Sequence, residues 1–226
     1  MTVALGNASS NVIQVNGSGG IIISAAIKNG NGVAGSLTKI GTGKLTLSNA
    51  NTYTGATTLK NGTLLVTNTT GSATGTGSVQ VNLGTFSGTG KINGAVTVGN
   101  GNGSGAILLA GNSSTSPGTL TINNPLTFQS HSTYKCVLNR AQSKASSVSA
   151  FGITINTNVS FTFLDTGTGT LASGAVFRVI DNISGLPISG RFNNLPDGSV
   201  FGSNGNNFKV NYAGGTGNDL TLEVVP

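Results

Sequence analysis

Short apolar runs recur about every 8–12 residues along the chain, and Gly, Asn, Ser and Thr fill the segments between them. Within most runs apolar and polar residues alternate, as in KLTLS (44–48) and GTLTI (118–122). Alternation places successive side chains on opposite faces of a strand, so each run predicts a strand with one buried and one wet face. Residues 1–140 show no sustained helical period. The pattern predicts an all-β protein without a helix longer than about two turns.

Two architectures fit many short strands, an antiparallel sandwich and a parallel solenoid, and the connections distinguish them. Hairpins favour two-residue connections. Asn61-Gly62 fits a hairpin, but most connections are longer and carry strand-like pieces themselves. A coil of about 20 residues with two or three short strands explains this repetition better, and small residues at its corners would let each coil stack on the last.

The composition shows that the chain folds. It has 36 glycines and only 7% charged residues, yet hydrophobic residues make up 36% and the mean hydropathy is +0.13. Disordered chains are normally less hydrophobic and more charged. The lone Cys136 excludes an internal disulfide framework, and its strand-like setting in YKCVL predicts a buried small residue.

The 11 basic residues give a net charge of +6 and are spread along the sequence. Nucleic-acid-binding proteins usually concentrate such charges. We interpret them as solvated surface residues, with weak attraction to anionic glycans as the alternative, and expect no nucleic-acid partner. No apolar run approaches the roughly 18–20 residues that span a bilayer as a helix, so we expect no membrane insertion.

Some parallel β-helices are polysaccharide lyases and hydrolases, and such chemistry needs paired carboxylates or acidic metal ligands. The carboxylates here all follow residue 164: Asp165, Asp181, Asp197, Asp219 and Glu223. The sole histidine, His131, lies in the polar turn QSHST, where a surface position is expected. We therefore predict that the chain is not an enzyme and needs no cofactor.

The segment GGTGNDLTL (214–222) approaches the GGxGxDxUx nonapeptide of calcium-binding β-rolls. Thr221 occupies the large apolar position of that motif, however, and only one copy is present. Because roll sites are shared between stacked repeats, a tight glycine turn into the last strand is the better interpretation. No metal site is predicted.

The stretch 35–68, GSLTKIGTGKLTLSNANTYTGATTLKNGTLLVTN, resembles the autotransporter-associated β-strand repeat. In that repeat a Leu-x-Lys-x-Gly-x-Gly-x-Leu-x-Leu run leads through Asn-x-Tyr-x-Gly to a Gly-Thr-Leu strand. The residues on this pattern are Leu37, Lys39, Gly41, Gly43, Leu45, Leu47, Asn51, Tyr53, Gly55, Gly62, Thr63 and Leu64. Segments 84–98 and 110–128 resemble further coils of autotransporter passengers. The resemblance implies a right-handed parallel β-helix exported to the cell surface.

The tail differs from the rest, because most aromatic residues follow position 145. We divide the chain into a β-solenoid over 1–144, with the autotransporter-type repeat at 35–68, and a solenoid continuation with a more antiparallel, β-rich C-terminal cap over 145–226. In that tail LPDGS (195–199) has the residues of a turn, since Pro fixes φ and Gly accepts positive φ.

These features predict an extracellular or cell-surface structural solenoid that acts as a rod or as the subunit of a head-to-tail filament. The alternative is an adhesin module that binds glycans or a host surface. Residues 1–27 carry no charged side chain, and charge is one device that protects an exposed strand edge from pairing. We therefore expect end-to-end self-association through the N-terminal strand runs. The candidate assembly residues are Val12, Ile13, Val15, Ile21, Ile22 and Ile23.

Overall fold

The computed structural model describes residues 2–6, 10–103 and 105–226. Strands account for 51% of the chain and helix for 1%, and the strands wind into a β-solenoid of about seven turns. The all-β parallel β-helix expected from the alternating runs is confirmed. The short runs form short strands because a Gly-, Asn- or Ser-containing corner follows each of them.

Each coil places strands on up to three sides of the solenoid. The first three coils contain β1 (Thr2–Leu5), β2 (Asn11–Gln14), β3 (Gly20–Ile23), β4 (Ala26–Asn29), β5 (Leu37–Ile40), β6 (Lys44–Leu47), β7 (Thr57–Leu59) and β8 (Thr63–Val66). The next four contain β9 (Val79–Val81), β10 (Gly84–Gly88), β11 (Lys91–Ile92), β12 (Val96–Val98), β13 (Ala106–Ser113), β14 (Ser116–Pro117), β15 (Thr119–Ile122), β16 (Leu126–Phe128), β17 (Thr133–Asn139), the 3-10 helix η1 (Arg140–Gln142), β18 (Lys144–Ala145), β19 (Ser147–Ala150), β20 (Ile153–Ile155) and β21 (Ser160–Thr166). The cap contains β22 (Val176–Asn182), β23 (Val200–Ser203), β24 (Asn206–Gly214) and β25 (Asp219–Val225).

Two parallel sheets run the length of the solenoid. Side 2 has the strand order β2-β5-β7-β9-β12-β16-β20, and side 3 has the order β3-β6-β8-β10-β13-β17-β21. Side 1 is the third side, which begins with β1 and β4 and continues as β11-β15-β19-β22. The short strands β14 and β18 add antiparallel pairs at the margin of side 3.

Inward-facing side chains stack in register from coil to coil. On side 3 one stack runs Ile21, Leu45, Leu64, Phe86, Leu108, Tyr134, Phe161. Leu45, Leu47, Leu64 and Val66 are fully buried, as the alternation in the sequence predicted. Stacking identical inward positions lets one apolar core extend along the whole solenoid without a break.

Glycine at the corners permits the close approach of successive coils. Gly62 has φ +74°, and a Cβ built there would lie 2.5 Å from the carbonyl oxygens of Gly41 and Gly43 in the preceding coil. The Asn61-Gly62 pair therefore forms a solenoid corner between the parallel strands β7 and β8, and not a hairpin.

The C-terminal cap is more antiparallel than the solenoid, as predicted. Strand β22 pairs parallel with β19 on one edge and antiparallel with β25 on the other, and β24 and β23 follow antiparallel. Phe192, which is 2% exposed, packs against Phe128, Tyr134 and Phe161 with ring centroids 5.5–6.0 Å apart. These rings fill the end of the core beneath the cap.

Candidate functional site

The N-terminal end of the solenoid is a row of edge strands. β1, β2 and β3 each pair with one neighbour, namely β4, β5 and β6 of the second coil. Among the described residues no strand lies on the other side of any of the three. The outer edges of β1 and β3 can therefore accept another strand.

Ile21 shows most directly that this end is open. Its Cα partner in the next coil is Leu45, which is fully buried, whereas Ile21 is 42% exposed. Both belong to the same inward stack. Ile21 is exposed because no described coil lies above it, and a further coil stacked on β3 would bury it.

The other candidate residues occupy two kinds of position. Ile13 and Ile23 are partly buried and pack against the core, while Val15 is 5% exposed and belongs to the core. Val12 and Ile22 point outward and are 57% and 70% exposed. The structure thus gathers all six candidate residues in the first coil, but Val15 is too buried to touch a partner directly.

At the C-terminal end, side chains take the place of the next strand. The amide of Asn194 accepts from Phe161 N at 2.8 Å and donates to Phe161 O at 2.8 Å, so it pairs with the outer edge of β21 as a strand would. The Asn204 amide donates to Asp165 O at 3.2 Å. The sequence did not single out these asparagines, because neither belongs to a recognisable capping motif.

An ion pair fastens the same end. Arg140 Nε lies 2.8 Å from Asp165 Oδ1, and the two side chains are 11% and 1% exposed. The same guanidinium donates to the carbonyls of Gly167 and Gly169 at 2.7 and 2.6 Å. Arg140 therefore ties the loop after β21 to the end of β17. Its interpretation as a solvated surface charge was wrong.

The glycine-rich segment 214–222 forms a turn into β25. Asp219 is fully buried, and its carboxylate accepts from Asn182 N at 2.9 Å and from Thr216 N at 3.3 Å, with Arg178 Nε 3.4 Å away. The carboxylate of the motif is thus used for the turn and for the junction with β22. Over the part of the chain that the structure describes, no group of three or more His, Cys, Asp or Glu side chains is placed to hold a metal ion.

His131 and Cys136 lie where the sequence placed them. His131 is exposed in a turn, with φ at +65°. Cys136 is fully buried, and burial raises the pKa of its thiol, so the residue is packed as a small apolar side chain.

Lys39 also departs from its sequence-based interpretation as a surface residue. Its Cα partners are Ile13 and Leu59, so its stem lies in an inward stack, and the residue is fully buried. The ammonium donates to the carbonyls of Ile40 and Gly41, both at 2.8 Å, and of Asn61 at 3.1 Å. Burial lowers the pKa of Lys39. The charge thus binds the corners of two successive coils together.

The outward residues of side 2 form a polar row along the solenoid. Each strand from β7 to β20 has one outward position between two inward ones, and successive outward positions are Cα partners. The row consists of Thr58, Gln80, Thr97, Thr127 and Thr154. Thr38 continues it into the second coil and Val12 into the first. Adjacent members are about 4.8 Å apart, the spacing of neighbouring strands.

The family model of the passenger-associated-transport-repeat covers residues 37–66, and a search of curated proteins finds no significant similarity. Within the described residues no helix has the length and hydrophobicity that crossing a bilayer requires.

The matched repeat supplies the contacts that join the second, third and fourth coils. Besides Lys39, Asn51 accepts from Ile27 N at 2.7 Å and donates to Ala73 O. Within the repeat itself, the buried Tyr53 hydroxyl lies 2.6 Å from Thr57 Oγ1. The chain is thus a β-solenoid that carries a passenger-associated-transport-repeat, a repeat typical of autotransporter passenger domains.

Proposed function

We propose that this chain is a structural segment of an exported surface protein, a stiff rod whose N-terminal end joins further β-structure. The matched repeat is typical of autotransporter passenger domains, which supports export to the cell surface. The observation that supports this joint is the exposure of Ile21. This residue belongs to an inward stack and is 42% exposed, whereas its neighbour Leu45 in the next coil is fully buried.

The chemistry of the N-terminal edge favours main-chain pairing. The strands β1 to β3 carry no charged side chain, and strand addition to an exposed edge supplies hydrogen bonds along the whole joint. A coil stacked on this end would also bury the exposed 42% of Ile21, which contributes part of the roughly 1.5–3 kcal/mol that full burial of a large aliphatic side chain provides. The occupant that fits is therefore another β-coil.

In a head-to-tail filament that coil would belong to a second copy. The cap leaves β23 at the outer edge of its sheet, with Val200 55% exposed. This strand would be the edge that the second copy offers. Because this contact joins unlike ends and does not close on itself, it would propagate into a filament.

The joint is tested with the purified full chain by light scattering and sedimentation at rising concentration. We expect concentration-dependent association that Ile22→Lys abolishes, since a charge on the edge strand opposes pairing. Ile22 is 70% exposed, so this variant should fold. The matched control is Val176→Lys, a position 58% exposed on β22, which should associate like the wild type. A chain that stays monomeric at every concentration would contradict the filament proposal and remain consistent only with the rod.

The second candidate function is an adhesin module. It is favoured by the outward row of side 2, in which four threonines and one glutamine lie in register on one sheet. A polar surface of this regularity is suited to contact with an extended, hydroxyl-rich ligand. Binding of the purified chain to a glycan array is the experiment that separates an adhesin from an inert rod.

A further inference from the structure

We propose that side 2 of the solenoid binds a neutral oligosaccharide chain that lies along the polar row between two grooves. The proposal rests on the adhesin function and is independent of the N-terminal joint. Within the described residues the hydroxyls of Thr97, Thr127 and Thr154 have no hydrogen-bond partner, so each can donate one bond and accept others.

The first groove is polar and borders the row at the end of β9, β12 and β16. It has a volume of about 420 Å³ and is lined by Gln80, Asn82, Thr97, Gly99, Asn100 and Gln129. Two hydrogen bonds hold its amides in place. Gln80 Nε2 donates to Gly99 O at 2.7 Å, and Asn156 Nδ2 donates to Gln129 Oε1 at 2.8 Å.

These bonds leave ligand-binding capacity in the polar groove. Over the described part of the chain, neither the Oε1 of Gln80 nor the Nε2 of Gln129 is used. Planar amides that offer one donor and one acceptor match the vicinal hydroxyls of a sugar, each of which both donates and accepts.

The second groove is apolar and lies on the opposite border of side 2, over the last coils. It has a volume of about 330 Å³, and its walls include Pro125, Phe151, Leu186 and Pro187, with Thr154 and Ser189 at its polar margin. Phe151 is 56% exposed, whereas every other phenylalanine and tyrosine in the described residues is buried or partly buried. An exposed aromatic ring beside hydroxyls is the arrangement on which the C–H face of a pyranose stacks.

The charge of the two grooves selects the class of glycan. No Lys, Arg, His, Asp or Glu lines either groove, although the chain carries a net charge of +6. An acidic glycan would need basic partners to replace its hydration, and a nucleic acid or an anionic membrane would need a basic cluster. Hydroxyls, amides and a single exposed ring fit an uncharged polysaccharide instead.

The row also explains why the ligand should be a chain and not a single sugar. Its hydroxyls repeat at about 4.8 Å along the rod axis, so an extended oligosaccharide can meet one outward side chain per coil. The polar groove lies beside β9, β12 and β16, and the apolar groove lies beside β16 and β20. A ligand of several sugar units can therefore reach both.

The test is calorimetric titration of the full chain with cellohexaose, laminarihexaose, maltohexaose and an α-1,6-linked mannohexaose, with a heparin hexasaccharide as the anionic probe. We expect binding of a neutral hexasaccharide and none of heparin. Phe151→Ala should weaken that binding about tenfold by removing the stacking ring, and Thr97→Val should weaken it several-fold by removing a hydroxyl.

The matched control is Val176→Ala, since Val176 is as exposed as Phe151 but lies on β22, outside both grooves. It should bind like the wild type, and so should Ile22→Lys, which separates this site from the N-terminal joint. Absence of binding by all four neutral sugars, or equal binding by Phe151→Ala, overturns the proposal. Self-association that Phe151→Ala abolishes would also overturn it, because the apolar groove would then be a protein contact.

Discussion

The outer edges of the terminal strands are covered differently at the two ends of this solenoid. At the N-terminal end no described strand lies beyond β1, β2 or β3, and the inward residue Ile21 is 42% exposed. At the C-terminal end the amide of Asn194 pairs with the edge of β21, and Phe192 covers the last rings of the core at 2% exposure. A solenoid core has no natural end, so each end needs either a cap or a partner. The difference shows that the chain's own side chains cover the core at the C-terminal end, whereas no described residue covers Ile21 at the N-terminal end.

The largest effect is expected where the cap seals the core. Phe192→Ala should cost about 3–5 kcal/mol in the free energy of unfolding, because it removes a ring packed against Phe128, Tyr134 and Phe161 and leaves a cavity. Urea denaturation measures this cost, and Phe151→Ala is the control with the same change at a position 56% exposed. Equal midpoints for the two variants would contradict the closed end.

At the N-terminal end, truncating an inward side chain should cost more free energy of unfolding in the second coil than in the first. Leu47→Ala in the second coil should cost about 2–5 kcal/mol, since Leu47 is fully buried. Ile13→Ala in the first coil should cost less, because Ile13 is already partly exposed. Denaturation midpoints of the two variants test this order. An unmoved midpoint for Leu47→Ala would show that the assigned strand register is wrong.

Lys39 links the second and third coils near the open end. Lys39→Met should cost about 1–3 kcal/mol in the free energy of unfolding, because it leaves the partly buried carbonyls of Ile40, Gly41 and Asn61 without this donor. Denaturation with urea at neutral pH measures this cost. A surface lysine such as Lys60, which is exposed in the same repeat, is the control and should tolerate Met with little change.

The same lysine predicts a pH dependence. Its pKa is lower in the folded chain than its ordinary value of 10.5, so the unfolded chain binds more protons between the two values. Stability then rises with pH in that window. The stability difference between wild type and Lys39→Met should therefore increase as the pH is raised toward 10.5. A difference that is constant with pH would show that Lys39 titrates alike in both states.

The Asn194 amide, which pairs with the outer edge of β21, should contribute about 1 kcal/mol to the free energy of unfolding. Asn194→Ala removes the partner of Phe161 N and Phe161 O, but water can reach the site because Asn194 is exposed. Amide hydrogen exchange at Phe161 should become faster in this variant. Asn102→Ala, at an exposed corner of the fifth coil, is the control and should leave that exchange unchanged.

The smallest effect is expected from metal removal. EDTA should leave the melting temperature unchanged, because Asp219 uses its carboxylate for Asn182 N and Thr216 N and lies 3.4 Å from Arg178 Nε. A fall in melting temperature that calcium reverses would contradict this and favour the β-roll interpretation of segment 214–222.

The outward row of side 2 shows where prediction from sequence stopped. The sequence marks each strand as a short triplet such as VTV, VQV or ITI, so an outward polar residue was predictable at each one. Which threonines become neighbours was not predictable, because the sequence separation between members of the row varies between 17 and 30 residues. Because the corner loops differ in length, the strand register does not follow from the sequence separation. It is set by the stacking of the coils.

The sequence by itself determined the class of fold, the repeat over 37–66 and the apolar inward positions, because alternation, corner glycines and burial are local properties of the chain. Only the tertiary structure decided that Lys39 is buried, that Asn194 replaces a strand and that Ile21 is an uncovered core residue. Each of these depends on what lies one coil above or below, about 20 residues or more away in the chain. Contacts between coils decide burial, and no local pattern records them.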